Sequence, residues 1–154
     1  MDPTATILTR LRTQLSSLPA LLQGVPRPDY DTRVGGKWSA TQHVAHLARY
    51  HEVTIDRVRQ MLTEAEPPIE SYRAERDAEW AEWETLSFEE AVQRLHAARE
   101  TLIGILEGLT PAQWTRTGRH ATFGALSIRA WMDFFLAHEG HHLYVITKRA
   151  RGAE

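Results

Sequence analysis

Eight histidines and no cysteine stand in a chain of 154 residues, and two of them, His138 and His142, lie four positions apart inside an apolar run. On an α-helix four residues turn by ~40° and climb ~6 Å, so both imidazoles can face one point from one side of the helix. A histidine on an apolar face is also commonly a packed core residue, and this pair by itself divides evenly between the two roles. Gly140 between them costs a helix ~1 kcal/mol relative to alanine, a local penalty that often accompanies close approach of neighbouring groups.

A third imidazole must come from a different helix. His43 and His46 are three apart in an earlier helical segment. His46 stands about seven residues after the start of its helix and His142 about seven before the end of its own, ~10 Å in each case at 1.5 Å per residue. The two levels coincide if those helices run antiparallel. A plain up-down-up-down bundle would make the second and fourth helices parallel, so the pairing favours an up-down-down-up order. Three neutral imidazoles with an open fourth position suit a divalent ion such as zinc, iron or nickel. Such an ion lowers the pKa of a bound water or thiol and makes a nucleophile near neutral pH. With no cysteine in the chain, a thiol would have to arrive on a substrate or cosubstrate.

Two rival metal patterns can be tested by counting. His138-Glu139-Gly140-His141-His142 spells HExxH, the zinc-protease signature in which the glutamate is the general base. Its extended form needs a histidine at position 148, where Lys148 stands, and only twelve residues follow His142. A protease is therefore set aside, with Glu139 kept as a candidate proton carrier. A di-iron bundle needs two Glu-x-x-His motifs on different helices, and Glu139-x-x-His142 is the only convincing one.

The elements that must position these residues are helical. Ile7, Leu8, Leu11, Leu15, Leu18 and Leu22 recur at helix spacing, with Pro19 kinking or ending the last turn. Ser39 followed by Gln42 is a capping-box pattern that starts a helix running to about Thr63. Ser87 with Glu90 starts another, ended by Gly108, and Thr110-Pro111-Ala112-Gln113 predicts a short turn. A last helix follows Ser127 and runs to about Lys148. Residues 121–126 carry only a weak extended signal, and the spacing predicts no sheet. Two connections, 64–86 and 109–126, are long; Trp80 and Trp83 mark a short helix in the first. The expectation is one all-α domain, a four-helix bundle over residues 1–154.

Composition narrows the function. With 18 Lys+Arg against 20 Asp+Glu, the formal charge of −2 argues against nucleic-acid binding through bulk electrostatics. The most apolar window, Trp131 to Ala137, is broken by Asp133 and falls far short of the ~18–20 residues of a membrane span. Thr4, Thr6, Thr9, Arg10 and Arg12 interrupt any signal-peptide core. A cytoplasmic protein is the expectation.

The run Gly36-Lys37-Trp38-Ser39 leading into His46-Leu47, paired with His138-x-x-x-His142, resembles the DinB-like (YfiT-like) superfamily over nearly the whole chain. The resemblance implies an up-down-down-up bundle, commonly a homodimer, holding a divalent metal through one histidine of helix 2 and two of helix 4. By position these are His46, His138 and His142. Gln42 replaces a glutamate often found in that first turn, which affects capping more than metal. Relatives include metal-dependent transferases and isomerases that use low-molecular-weight thiols such as bacillithiol or mycothiol, and others that protect against reactive small molecules.

The expected activity is metal-dependent transfer or hydrolysis on a small electrophilic molecule, in stress response or detoxification. A non-catalytic small-molecule sequestering protein is the alternative. Arg49 and Tyr50, one turn beyond His46, and Trp131, two turns before the late pair, are candidates to bind substrate, with packing a strong competing role for each. His43 suits a contact behind the ligands and solvent equally. His51 falls on the apolar stripe as a packed residue, and His141 turns away. His96 and His120 lack a motif and are expected on the surface.

Overall fold

Helix starts are decided by side chains that satisfy the first free backbone amides, and those caps organise this chain. The computed structural model describes residues 2–154. Helix α1 (Pro3–Thr13) begins behind Asp2, whose carboxylate accepts the Thr4 amide at 3.0 Å. A 3₁₀ turn at Gln14–Ser16 separates it from α2 (Ser17–Leu21). The apolar repeat is thus divided just ahead of Pro19, which has no N–H and crowds the carbonyl of Leu15. Helix α3 (Ala40–Thr63) opens with the predicted box: Ser39 Oγ accepts the Gln42 amide at 3.1 Å and Gln42 Oε1 accepts the Ser39 amide at 2.9 Å. Helix α4 (Trp80–Trp83) lies in the first long connection. Helices α5 (Phe88–Glu107) and α6 (Pro111–Trp114) carry the boxes at Ser87 and Thr110. Helix α7 (Ile128–Ala150) starts behind Ser127, which accepts the Ala130 amide at 3.1 Å.

Cross-helix contacts give the directions. Along α1 and α7 the partners rise together: Arg10 with Asp133, Gln14 with Glu139, then Arg151 with the Leu21 carbonyl. Those two elements are parallel. Against α5 the order reverses, from Arg12 with Glu107 to Arg27 with Glu89. It reverses again between α3 and α7, where His46 faces His142, Tyr50 faces Phe135 and Arg57 lies over Trp131. The long helices therefore run up-down-down-up, as the levels of His46 and His142 predicted.

A small sheet corrects the sheet-free expectation. Strands β1 (Pro68–Ile69), β2 (Thr117–His120) and β3 (Gly124–Ser127) pair in that order, β1 parallel and β3 antiparallel to β2. Strands of two to four residues are too short to show an alternating pattern, and their pairing joins distant parts of the chain. Gly118 is required by packing, because a Cβ there would lie 2.8 Å from Ile69 Cγ1 and 2.9 Å from Met61 Sδ.

The apolar interior forms two clusters. One gathers around Leu102, Met132 and Phe135; the other around Val44, Leu95 and Ile146. Between them lies a layer of buried polar side chains that includes His46, His51, Arg99 and Glu139. Gly118→Ala should cost about 1–3 kcal/mol through overpacking, read as a lower urea midpoint with an unchanged helical circular-dichroism spectrum.

Candidate metal centre

The i, i+4 spacing on α7 and the antiparallel α3 bring three ring nitrogens to one place. His46 Nε2 lies 3.5 Å from His138 Nε2, which lies 3.1 Å from His142 Nε2. Ligand atoms of all three fall within 4.8 Å of one another. Three nitrogens bound at ~2.0–2.1 Å to one tetrahedral ion would be ~3.4 Å apart, so two of the observed edges bracket the required spacing. A neutral imidazole turns one lone pair outward, and lone pairs crowded this closely need a proton or a cation among them. The donor set fits a divalent ion.

Burial keeps the rings neutral. His46 is pushed down to about 3, first by burial and then by the neighbouring His138, and His138 to about 4, again chiefly by burial. Burial lowers His142 as well, followed by the effect of His46. Trp38 lies 5.3 Å and Trp80 6.2 Å from the His46 ring, and both shield it from water.

His43 answers the question its position left open. It is buried, and its Nδ1 is 2.9 Å from Nδ1 of His142. With a cation on the Nε2 side of His142, the His142 proton would sit on Nδ1 and be donated to His43. The contact holds the tilt of the His142 ring from its far nitrogen.

Glu139 is corrected. Its side chain has no exposure and points away from the three rings, toward α1 and α5. Arg99 donates to Oε2, and Gln14 Nε2 donates to Oε1 at 2.9 Å. One residue along a helix is a ~100° turn, which carries Glu139 off the face that presents His138. Burial raises the Glu139 carboxyl and lowers the Arg99 guanidinium, while their attraction opposes both. Beside them His51, fully buried as expected, donates Nδ1–H to the Leu47 carbonyl at 2.6 Å.

Arg49 is also corrected. It holds Asp77 through two bonds of 2.7 and 3.2 Å, and it contacts Glu52 and Glu79. Asp77 in turn accepts the Tyr72 hydroxyl at 2.9 Å, and the Tyr72 ring stacks 5.8 Å from His46. Arg49 therefore anchors a wall of the site, and its charge is matched by carboxylates. Tyr50 does stand at the site, its ring 4.3 Å from His138. Trp131 lines the same cavity, of about 200 Å³, onto which His46 and His138 open.

Sequence reasoning missed the far wall of that cavity. Ser71 and Tyr72 come from the first long connection, and His120 and Phe123 from the second. His120 is buried against Trp131 at 5.5 Å, which corrects its expected surface placement. No motif surrounds it, and only the pairing of β2 with both neighbours brings it inward.

A profile of the DinB superfamily matches residues 10–146. The chain belongs to the DinB superfamily. A relative from Oceanobacillus iheyensis, named "Putative metal-dependent hydrolase", is 29% identical over 149 residues, covering 92% of this chain and 84% of its own. One of the same name from Bacillus mycoides is 27% identical, covering 86% of this chain and 76% of its own. Among solved structures, YfiT from Bacillus subtilis superimposes with a TM-score of 0.81 at 23% identity, covering 98% of this chain and 89% of that one. It is described as a probable metal-dependent hydrolase with an unusual four-helix bundle topology. An uncharacterised protein from Clostridium difficile matches with a TM-score of 0.68 at 10% identity, covering 98% of this chain and 95% of that one. No helix among the described residues of this DinB protein is long and apolar enough to cross a membrane.

Two outcomes follow for the DinB layer of buried polar groups. Arg99→Met leaves Glu139 unpaired and should cost about 3–5 kcal/mol in urea unfolding. Acid should destabilise the metal-free protein. His46 and His51 stay neutral down to about 3 in the fold, whereas unfolded histidines take up protons below ~6.5. Their stabilisation is complete above ~6.5 and is lost as pH falls toward 3, by up to about 1.4 kcal/mol per pH unit for each ring. The urea midpoint at about pH 5 should lie well below that at about pH 7.

Proposed function

We propose that this protein is a metal-dependent hydrolase of small molecules, with a divalent ion held by His46, His138 and His142. The observation that carries the reading is the convergence of three neutral Nε2 atoms from α3 and α7 at the edge of a cavity. The names carried by the Oceanobacillus and Bacillus relatives support it. When bound, the ion would act as a Lewis acid and make water a nucleophile near neutral pH. Zinc, nickel and iron all suit three imidazoles.

The chain's own residues do the remaining work. His43 holds the tilt of the His142 ring from its far nitrogen. Trp38 and Trp80 exclude water from the back of the rings, which strengthens electrostatic interactions within the site. Tyr50 faces the cavity with its phenol protonated, since burial raises its pKa. Its oxygen accepts from Arg57 at 3.4 Å, which leaves its own proton free to be donated to a substrate oxygen that gains charge.

Elemental analysis and a metal titration on tag-free protein test the reading. Wild type should bind a single equivalent of divalent metal, and His46→Ala or His142→Ala should abolish tight binding. His43→Ala should weaken it about 10–100-fold without changing the stoichiometry. Ester and amide substrates should turn over only in metal-loaded wild type. Parallel assays with an added low-molecular-weight thiol separate hydrolysis from thiol transfer, and tight ligand binding without turnover would instead favour a sequestering protein.

A further inference from the structure

The cavity beside the three histidines has an apolar floor and one unmatched cation. Trp131 and Phe134 stack 5.2 Å apart on one side, and Phe123 packs 5.2 Å from Phe134. Arg57 reaches over this surface, its guanidinium 5.7 Å from the Tyr50 ring and 5.5 Å from the Trp131 ring. Its polar contacts are the Tyr50 hydroxyl and the Glu70 carbonyl, the latter at 2.6 Å. Arg49, two turns earlier on α3, meets three carboxylates. Arg57 meets none among the described residues.

A second donor faces the same space. His120 Nδ1 accepts the amides of Thr122 and Phe123 at 3.1 and 3.3 Å, so its proton resides on Nε2. That Nε2–H is donated to Ser71 Oγ at 3.2 Å, which leaves the serine hydroxyl hydrogen free to donate. The cavity continues past Arg57, Ser71 and Tyr72 into a groove where Asp77 is neutralised by Arg49, and Arg73 and Arg76 stand with the single further acid Glu70. Both of these arginines are exposed and pair with no carboxylate among the described residues. A cation flanked by aromatic rings and unmatched by protein acid is a built receptor for a carboxylate, and a guanidinium can hold one through two parallel bonds.

Resting on the hydrolase reading, we propose that the substrate is a small carboxylic acid with a flat or apolar body. The body lies on Trp131 and Phe134, and the carboxylate is held by Arg57 with help from Ser71. This geometry directs the remainder of the molecule toward His46 and His138. Arg73 and Arg76 attract the anion on its approach.

Metal-free protein, prepared with chelator, separates this recognition from carboxylate binding to an ion. Calorimetric or NMR titrations should compare phenylacetate with its neutral isostere phenylacetamide. Wild type should favour phenylacetate by about tenfold at low ionic strength, and the preference should shrink in about 1 M salt. Arg57→Gln should bring the ratio near unity, and Arg57→Lys should keep part of it. The salt dependence of wild type tests the same point if Arg57→Gln does not fold. Equal affinity for the two probes, no binding of either at millimolar concentration, or a preference that survives in folded Arg57→Gln would overturn the proposal. A protein that prefers phenylacetate but takes up no metal would remove the hydrolase reading and keep the carboxylate site. One that binds metal and ignores the charge would do the reverse.

Discussion

An imidazole taken out of water must stay neutral or be paired, and this bundle places several of them, with an ion pair, at one level of its interior. The cost of that layer has to be met by the apolar packing on either side. Leu102, Met132 and Phe135 close one side, and Val44, Leu95 and Ile146 close the other. Helix α7 carries both parts of the layer on adjacent faces. His138 and His142 turn to α3, while Glu139 turns to Arg99 of α5 and Gln14 beside α1. One helix thus connects the site to every other long element, and the up-down-down-up order is what brings His46 to the level of the late pair.

Local signals were readable and long-range ones were not. The boxes at Ser39, Ser87 and Thr110 are satisfied within four residues, so pattern and structure agree there. The His138–His142 pair is equally local, and His46 joined it through a simple comparison of heights. Glu139 misled because its membership of HExxH says nothing about Arg99, forty residues away. Arg49 misled for the same reason, since Asp77 lies across a connection whose path the periodicity does not describe. His120 and Ser71 meet through strand pairing between two loops, and four-residue strands leave no pattern to read.

The division of labour in the site follows from this. Groups suited to hold an ion stand on two long helices whose rings are clamped by Trp38, Trp80 and Tyr50. Such elements resist the small displacements that would spoil coordination distances. His43 adds a constraint that the three-ligand pattern does not include, because it acts on the far nitrogen of His142. The orientation of one ring of the cluster is therefore held by a neighbour on the opposite helix.

The three short strands have a consequence of their own. By pairing Ile69 with His120 and Gly118 with Leu126, they tie the two long connections into one rim over the helix ends. That rim bears directly on α3, through the Tyr72 ring against His46 and through Gly118 against Met61. Ser71 and His120 on the rim face Tyr50, Arg57 and Trp131 on the helical rods across one space, so its outline belongs to both parts jointly and to neither alone.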